Sequence, residues 1–217
     1  MKKFVVVSFV LMFLFFVSNN NFSHEGEGGP PYEVYLQGSV YASSCLENER
    51  EDQRYAAWRV FDCDNKTSWV EGADDEGIGE KLTFKSYLEF ANVRGIEILP
   101  GVTTNERLFK LNNRPKIILV EYIGSESDSM GAEEYAVFSK EIVLKDEMKF
   151  QRFMFDNIMT KYINDYDLKH NTKTQFGGFI IVIKDVYKGS KYNDTGIAEI
   201  RFLDKSGKVI DPLKEFK

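Results

Sequence analysis

The chain has 217 residues, with 28 Lys and Arg against 34 Asp and Glu for a net charge of −6. That length suits one large domain or two small ones, and a composition 43% hydrophobic and 29% charged excludes a mainly disordered chain. The acidic balance speaks against a nucleic-acid partner, and two His with two Cys leave little room for zinc sites, thiol relays or a histidine triad.

The chain opens on a targeting pattern. Lys2 and Lys3 precede FVVVSFVLMFLFFV, an apolar core of 14 residues, and then the polar string SNNNFSHEGEGG. The core is shorter than the roughly 20 residues of a spanning helix, so residues 1–23 read as a secretory signal peptide cleaved near Ser18 or Ser23. No Cys follows the core, which argues against a bacterial lipoprotein. Loss of Lys2 and Lys3 takes the net charge from −6 to about −8. No membrane span is expected once the leader is gone, and an exported or periplasmic chain is permitted a disulfide.

Residues 24–37 read as a linker and lead-in strand, and 38–217 as a single domain. Aromatic residues reach 14%, which favours strands over helices. The predicted strands are 32–42, 81–90, 95–101, 115–124, 134–144, 149–156, 177–189 and 196–204, separated by turn residues. Two stretches resist that reading: 50–61 suits a short helix or turn, and 157–175 a polar insertion or a helix with a loop. No Gly-rich phosphate loop occurs, and strands do not alternate with long amphipathic helices. The fold class expected is therefore all-β, an antiparallel two-sheet sandwich of jelly-roll type.

The most informative string is VFDCDNKTSWVEGADDEGIGE at 60–80, where acidic residues surround Cys63 and Thr67 and Trp69 follow. It resembles the Asp-Gly-Asp-x-x-Thr-x-Trp loop of galactose-binding-like, or discoidin-like, sandwiches. ASSCLE at 42–47, NNRPK at 112–116 and DVYKGSKYNDTGIAEI at 185–200 narrow the resemblance. Together they look like the glycan-binding domain first known at the front of streptococcal NAD glycohydrolase, where it assists toxin translocation. The resemblance spans about residues 38–204 and departs from the family at two places: Cys63 stands for the loop glycine, and Gly196 for a usual cysteine.

The resemblance implies a galactose-binding-like sandwich with ASSCLE beside the acidic loop, and hence a Cys45–Cys63 disulfide. Closing that loop would add roughly 3 kcal/mol. The alternative is two free thiols acting as small hydrophobes. It also implies a structural calcium ion held by Asp64, Thr67 and Glu199 with loop carbonyls filling in. Asp62 would then cap or order the turn, and the plainer alternative is an Asx-turn network without metal.

For sugar recognition, loop ends must offer flat apolar faces and fixed polar groups. Trp69, Glu71, Arg114, Tyr187, Lys188 and Tyr192 fall in or beside predicted loops. Each has a plainer role: Trp69 as a core anchor, the tyrosines as rim packing, Arg114 as the partner of a carboxylate. The glycine-bearing DDEGIGE at 74–80 is a candidate lip. The function expected is a secreted, non-catalytic module that binds a glycan or a glycosylated surface. The alternatives are an adhesin or assembly protein using the same rim, and a glycosidase built on two carboxylates.

Overall fold

The computed structural model describes residues 38–46, 53–86, 93–128, 131–155 and 176–210. The expected signal peptide, the linker and the whole 157–175 insertion lie outside these residues. The described residues form nine strands: β1 (Gly38–Ala42), β2 (Trp69–Val70), β3 (Lys81–Ser86), β4 (Gly95–Pro100), β5 (Arg114–Asp128), β6 (Gly131–Val143), β7 (Gln151–Met154), β8 (Phe176–Tyr187) and β9 (Gly196–Leu203). They form a five-stranded sheet in the order β1-β3-β8-β5-β6 and a four-stranded sheet in the order β2-β9-β4-β7. Each neighbouring pair of these strands runs antiparallel, so the expected sandwich is the fold.

The alternating pattern of the strands builds the core. Leu82 and Phe84 of β3 lie opposite Ile181 and Phe179 of β8, and Val120 and Tyr122 of β5 face the same two residues from the other side. Across the sandwich, Ile96 and Ile98 of β4 pair with Phe202 and Ile200 of β9. These side chains are buried, because successive residues of a strand point to opposite faces and the inward set is apolar. The rings connect both sheets: Phe202 of one stacks on Phe179 of the other at 5.4 Å between centroids. Phe61 stacks on Phe202 at 5.9 Å and meets Phe84 edge-on at 4.9 Å.

Phe61 arrives on a turn of 3₁₀ helix, Ala57–Phe61, so the stretch expected to hold a short helix does hold one. Helix α1 (Glu106–Leu111) has no counterpart among the expected elements. It is a single capped turn, with the Asn105 side chain accepting from Leu108 N at 2.9 Å, too short for a hydrophobic period to register. The other unexpected element is β2, whose two residues fall below the length at which alternation can be read. It joins β9 by pairing Trp69 with Ile197 and Val70 with Gly196. Gly196 is required by that crossing: a Cβ there would come 2.9 Å from Val102 and 3.2 Å from the Trp69 carbonyl oxygen.

Phe202 meets rings of the opposite sheet and of the 3₁₀ turn, and is 4% exposed. Phe202→Ala should therefore cost about 3–5 kcal/mol in urea unfolding. Tyr41→Ala, on edge strand β1 where the ring is 54% exposed, should stay within about 0.5 kcal/mol.

Candidate functional site

The acidic loop follows the 3₁₀ turn directly and is organised by Asp62. Its Oδ1 accepts from the Asp64 backbone N–H at 3.0 Å, and its oxygens lie 2.9 and 2.7 Å from the Thr67 hydroxyl. Thr67 N donates back to the Asp64 carbonyl at 3.0 Å, closing the turn. Cys63 adopts φ +60°, a left-handed conformation that suits the glycine of the resembled motif better than a side chain. Beyond the loop, the Thr103 hydroxyl donates to the Asn65 carbonyl, and the Thr104 hydroxyl to the Lys66 carbonyl at 2.7 Å. Asp62 thus orders the turn, as the sequence alternative had it.

Beneath this loop lies Glu199 of β9, 1% exposed. Its Oε1 is 3.7 Å from the Arg201 guanidinium, and its Oε2 has no hydrogen-bond partner among the described residues. Burial pushes its carboxyl up to about 8; the charges of Asp62 and Asp64 add to the rise, and Arg201 opposes it. A buried carboxyl oxygen without a hydrogen-bond partner, in the negative field of Asp62 and Asp64, is chemistry that a hard cation answers. Among the described residues no three Asp, Glu, His or Cys side chains form a metal-holding group by themselves. A cation here would have to draw on the Thr67 hydroxyl and loop carbonyls as well.

The six candidate sugar ligands divide sharply by exposure. Trp69 is fully buried, and its indole N–H donates to the Ser44 carbonyl at 2.9 Å, so it anchors the loop from below. Glu71 is fully buried too, accepting from Thr195 N at 2.9 Å and Ala73 N at 2.7 Å, and burial raises its carboxyl pKa. Its side chain packs under the 74–80 lip, where a Cβ on Gly77 (φ +71°) would come 2.5 Å from the carboxyl carbon. Arg114 is buried and bidentate to Asp146 at 2.9 and 2.7 Å, while also donating to the Asn112 and Lys188 carbonyls. Tyr187 is half-buried with its hydroxyl donating to the Leu144 carbonyl at 3.0 Å. Lys188 is exposed and paired with Glu76. Tyr192 has 38% of its surface exposed and lines a cavity.

The expected disulfide is not formed; both cysteines are free thiols. ASSCLE lies beside the Trp69–Gly72 end of the loop, with Leu46 N donating to the Val70 carbonyl at 2.8 Å and Gly72 N to the Ser44 hydroxyl at 2.8 Å. Cys45 packs against the core there, where burial raises its thiol pKa, while Cys63 is exposed at the outer bend.

The cavity is open, has a volume of about 620 Å³, and adjoins the acidic loop through Thr67. Val102 and Leu108 give it apolar surface, Asn112 a carboxamide, and Tyr55 with Tyr192 aromatic rings. Its size and mixed lining are those of a small-ligand site. Arg54, Tyr55 and Arg59 of this lining were not among the candidates. Their signal is the basic and aromatic interleaving of RYAAWR at 54–59, read only as a helix or turn.

The family model for the NAD glycohydrolase translocation F5/8 type C domain matches residues 32–203. No curated protein sequence matches the chain. Solved structures similar to it include the F5/8 type C domain of a Bacteroides fragilis protein, 13% identical over 76% of this chain and 89% of that one, with a TM-score of 0.44. The C-terminal domain of a chitobiase from Bacteroides fragilis is 13% identical over 82% and 98% of the two chains, with a TM-score of 0.42. A mycobacterial arabinofuranosyltransferase is 13% identical over 80% of this chain, which spans only 11% of the transferase, with a TM-score of 0.47.

Because the folded carboxyl of Glu199 titrates near 8 rather than near its ordinary 4.5, the folded protein binds a proton that the unfolded chain has released between those values. In the presence of chelator, stability should therefore be full below about pH 4.5 on this account and fall as pH rises through 8. Denaturation midpoints across that range should show the decline, and Glu199→Gln should flatten it.

Proposed function

The chain belongs to the NAD glycohydrolase translocation F5/8 type C domain family, and we propose that it is a secreted, non-catalytic module that binds carbohydrate on a glycosylated surface. The cavity of about 620 Å³ at the loop end carries this reading, because it offers aromatic rings, apolar surface, hydroxyls and a carboxamide together. Of the candidate residues, Tyr192, part of the cavity lining, supports the reading, while Trp69, Glu71 and Arg114 are buried and Lys188 is paired with Glu76. Export rests on the leader pattern of residues 1–23. No helix among the described residues is long and apolar enough to cross a membrane. A carboxylate-based glycosidase is disfavoured because the described cavity lining holds one acidic residue, Asp194, where two are needed.

Asp64, Thr67 and Glu199, with loop carbonyls, would hold a structural calcium ion between the acidic loop and β9. The ion would supply positive charge to the unpartnered Glu199 oxygen and to the loop carboxylates whose charges raise its pKa.

Two measurements test these readings. Calcium at a hundredfold excess over its Kd should stabilise the fold by roughly 2.7 kcal/mol against chelator. Asp64→Ala and Glu199→Gln should each remove that gain, and melting curves that coincide in calcium and chelator would rule out the ion. On a glycan array, the refolded mature chain should give signals that free sugar inhibits. An array without signal, combined with retained adhesion to cells or matrix, would favour the protein-binding adhesin instead.

A further inference from the structure

The chain carries a net charge of −6, yet its cavity concentrates cations. Among the described residues of its lining, Arg54, Arg59 and Lys66 stand against one acid, Asp194, with Asp62 paired to Arg59 at its edge. A surface assembled at random from this composition would be acidic, so the local reversal of sign is a property of the site rather than of the chain.

One guanidinium is held in place, and one lysine is fixed at its backbone. The Arg59 guanidinium stacks on the Trp58 ring at 3.9 Å, donates through Nε to the Gln53 carbonyl at 3.3 Å, and pairs with Asp62 at 3.4 Å. Trp58 is itself fixed, its indole N–H donating to the Gln53 side chain at 3.0 Å. Such a guanidinium loses little freedom when it meets a planar anion. Lys66 is anchored through its backbone, with N donating to Asp64 Oδ1 at 2.9 Å and its carbonyl accepting from Thr104 at 2.7 Å. Its side chain is exposed and makes no ion pair with any described residue. Beside these charges are flat and apolar groups: Tyr192, 38% exposed, and the Val102 and Leu108 surface.

For a neutral sugar this arrangement is poorly matched, since the exposed Lys66 ammonium would lose hydration without receiving charge. An anionic group recovers that cost through charge-assisted hydrogen bonds, which are about twice as strong as neutral ones. A nucleic-acid backbone is the wrong partner for one local cavity in an acidic chain, because it needs an extended basic track.

We propose that the cavity beside the acidic loop is selective for anionic saccharides, taking a sugar that bears a carboxylate or a sulfate, with Arg54, Arg59 and Lys66 receiving the charge and Tyr192 facing the ring. This rests on the carbohydrate-binding reading and specifies its ligand class.

The test is titration of the intact mature chain, in calcium, with matched glycans: lactose, its sialylated form and its sulfated form, followed by an array of similar neutral and acidic pairs. Acidic members should bind roughly tenfold or more tighter than their neutral counterparts. The preference should shrink as salt rises, because the cations are partly solvated. Sialylated against sulfated members decide between carboxylate and sulfate. Arg54→Gln with Lys66→Gln should bring the acidic-to-neutral ratio toward one, while Lys205→Gln, which removes one of the same charges from the turn after β9, should not. Those two positions are preferred to Arg59, whose loss would also release Asp62. Equal or stronger binding of the neutral members overturns the anionic selectivity and leaves the carbohydrate reading standing. Binding to no glycan, including the case of binding only to anionic lipid vesicles, overturns both.

Discussion

Trp69 and Val70 make a strand of only two residues, yet their pairing with Ile197 and Gly196 decides where the acidic loop lies. The tie is reinforced from three sides. Glu71 N donates to the Thr195 carbonyl while its carboxylate accepts from Thr195 N, so one residue closes both ends of the contact. The indole of Trp69 reaches back to Ser44, and Leu46 N donates to the Val70 carbonyl. Backbone groups buried this deeply must all be paired, so the loop cannot shift without breaking several hydrogen bonds together. Its position over Glu199 and beside the cavity follows from that constraint.

Fixing the loop there brings opposite charges close together. The charges of Asp62 and Asp64 raise the pKa of the buried Glu199, while Arg59, Arg54 and Lys66 line the cavity side. Arg59 belongs to both regions, pairing with Asp62 at 3.4 Å and lining the cavity. Thr67 likewise serves both, ordering the turn through Asp62 and contributing to the cavity wall. The two regions are therefore electrostatically linked by residues one turn apart, even though one suits a cation and the other an anion.

The polar residues of the loop ends carry a lesson about reading sites from sequence. Glu71 and Arg114 fall in turn-like strings, where polar side chains are on average exposed. Here they are inside, because a sandwich end packs several irregular segments together and their backbone groups need partners. Arg114 satisfies the Asn112 and Lys188 carbonyls, and the buried Asn113 accepts from Gly189 N at 2.7 Å. Such roles depend on which loops meet, over separations of more than seventy residues. The disulfide expectation failed for the same reason: Cys45 follows the Trp69–Gly72 end of the loop while Cys63 turns outward at the bend.

Strand periodicity is local, so the sequence by itself determined the all-β class and the principal strands of the sandwich. The pattern of Asp62, Asp64, Thr67 and Trp69 is equally local, and it marked the family and the acidic loop before any coordinates. Single-turn and two-residue elements such as α1 and β2 leave no period to detect, and they needed the fold to appear. Only the tertiary structure could decide burial at the loop ends, the orphaned oxygen of Glu199, and the meeting of Arg54 and Arg59 with Tyr192 around one cavity. Those properties arise between segments far apart in the chain, where the packing of one loop against another, and not the character of any one residue, sets exposure and charge.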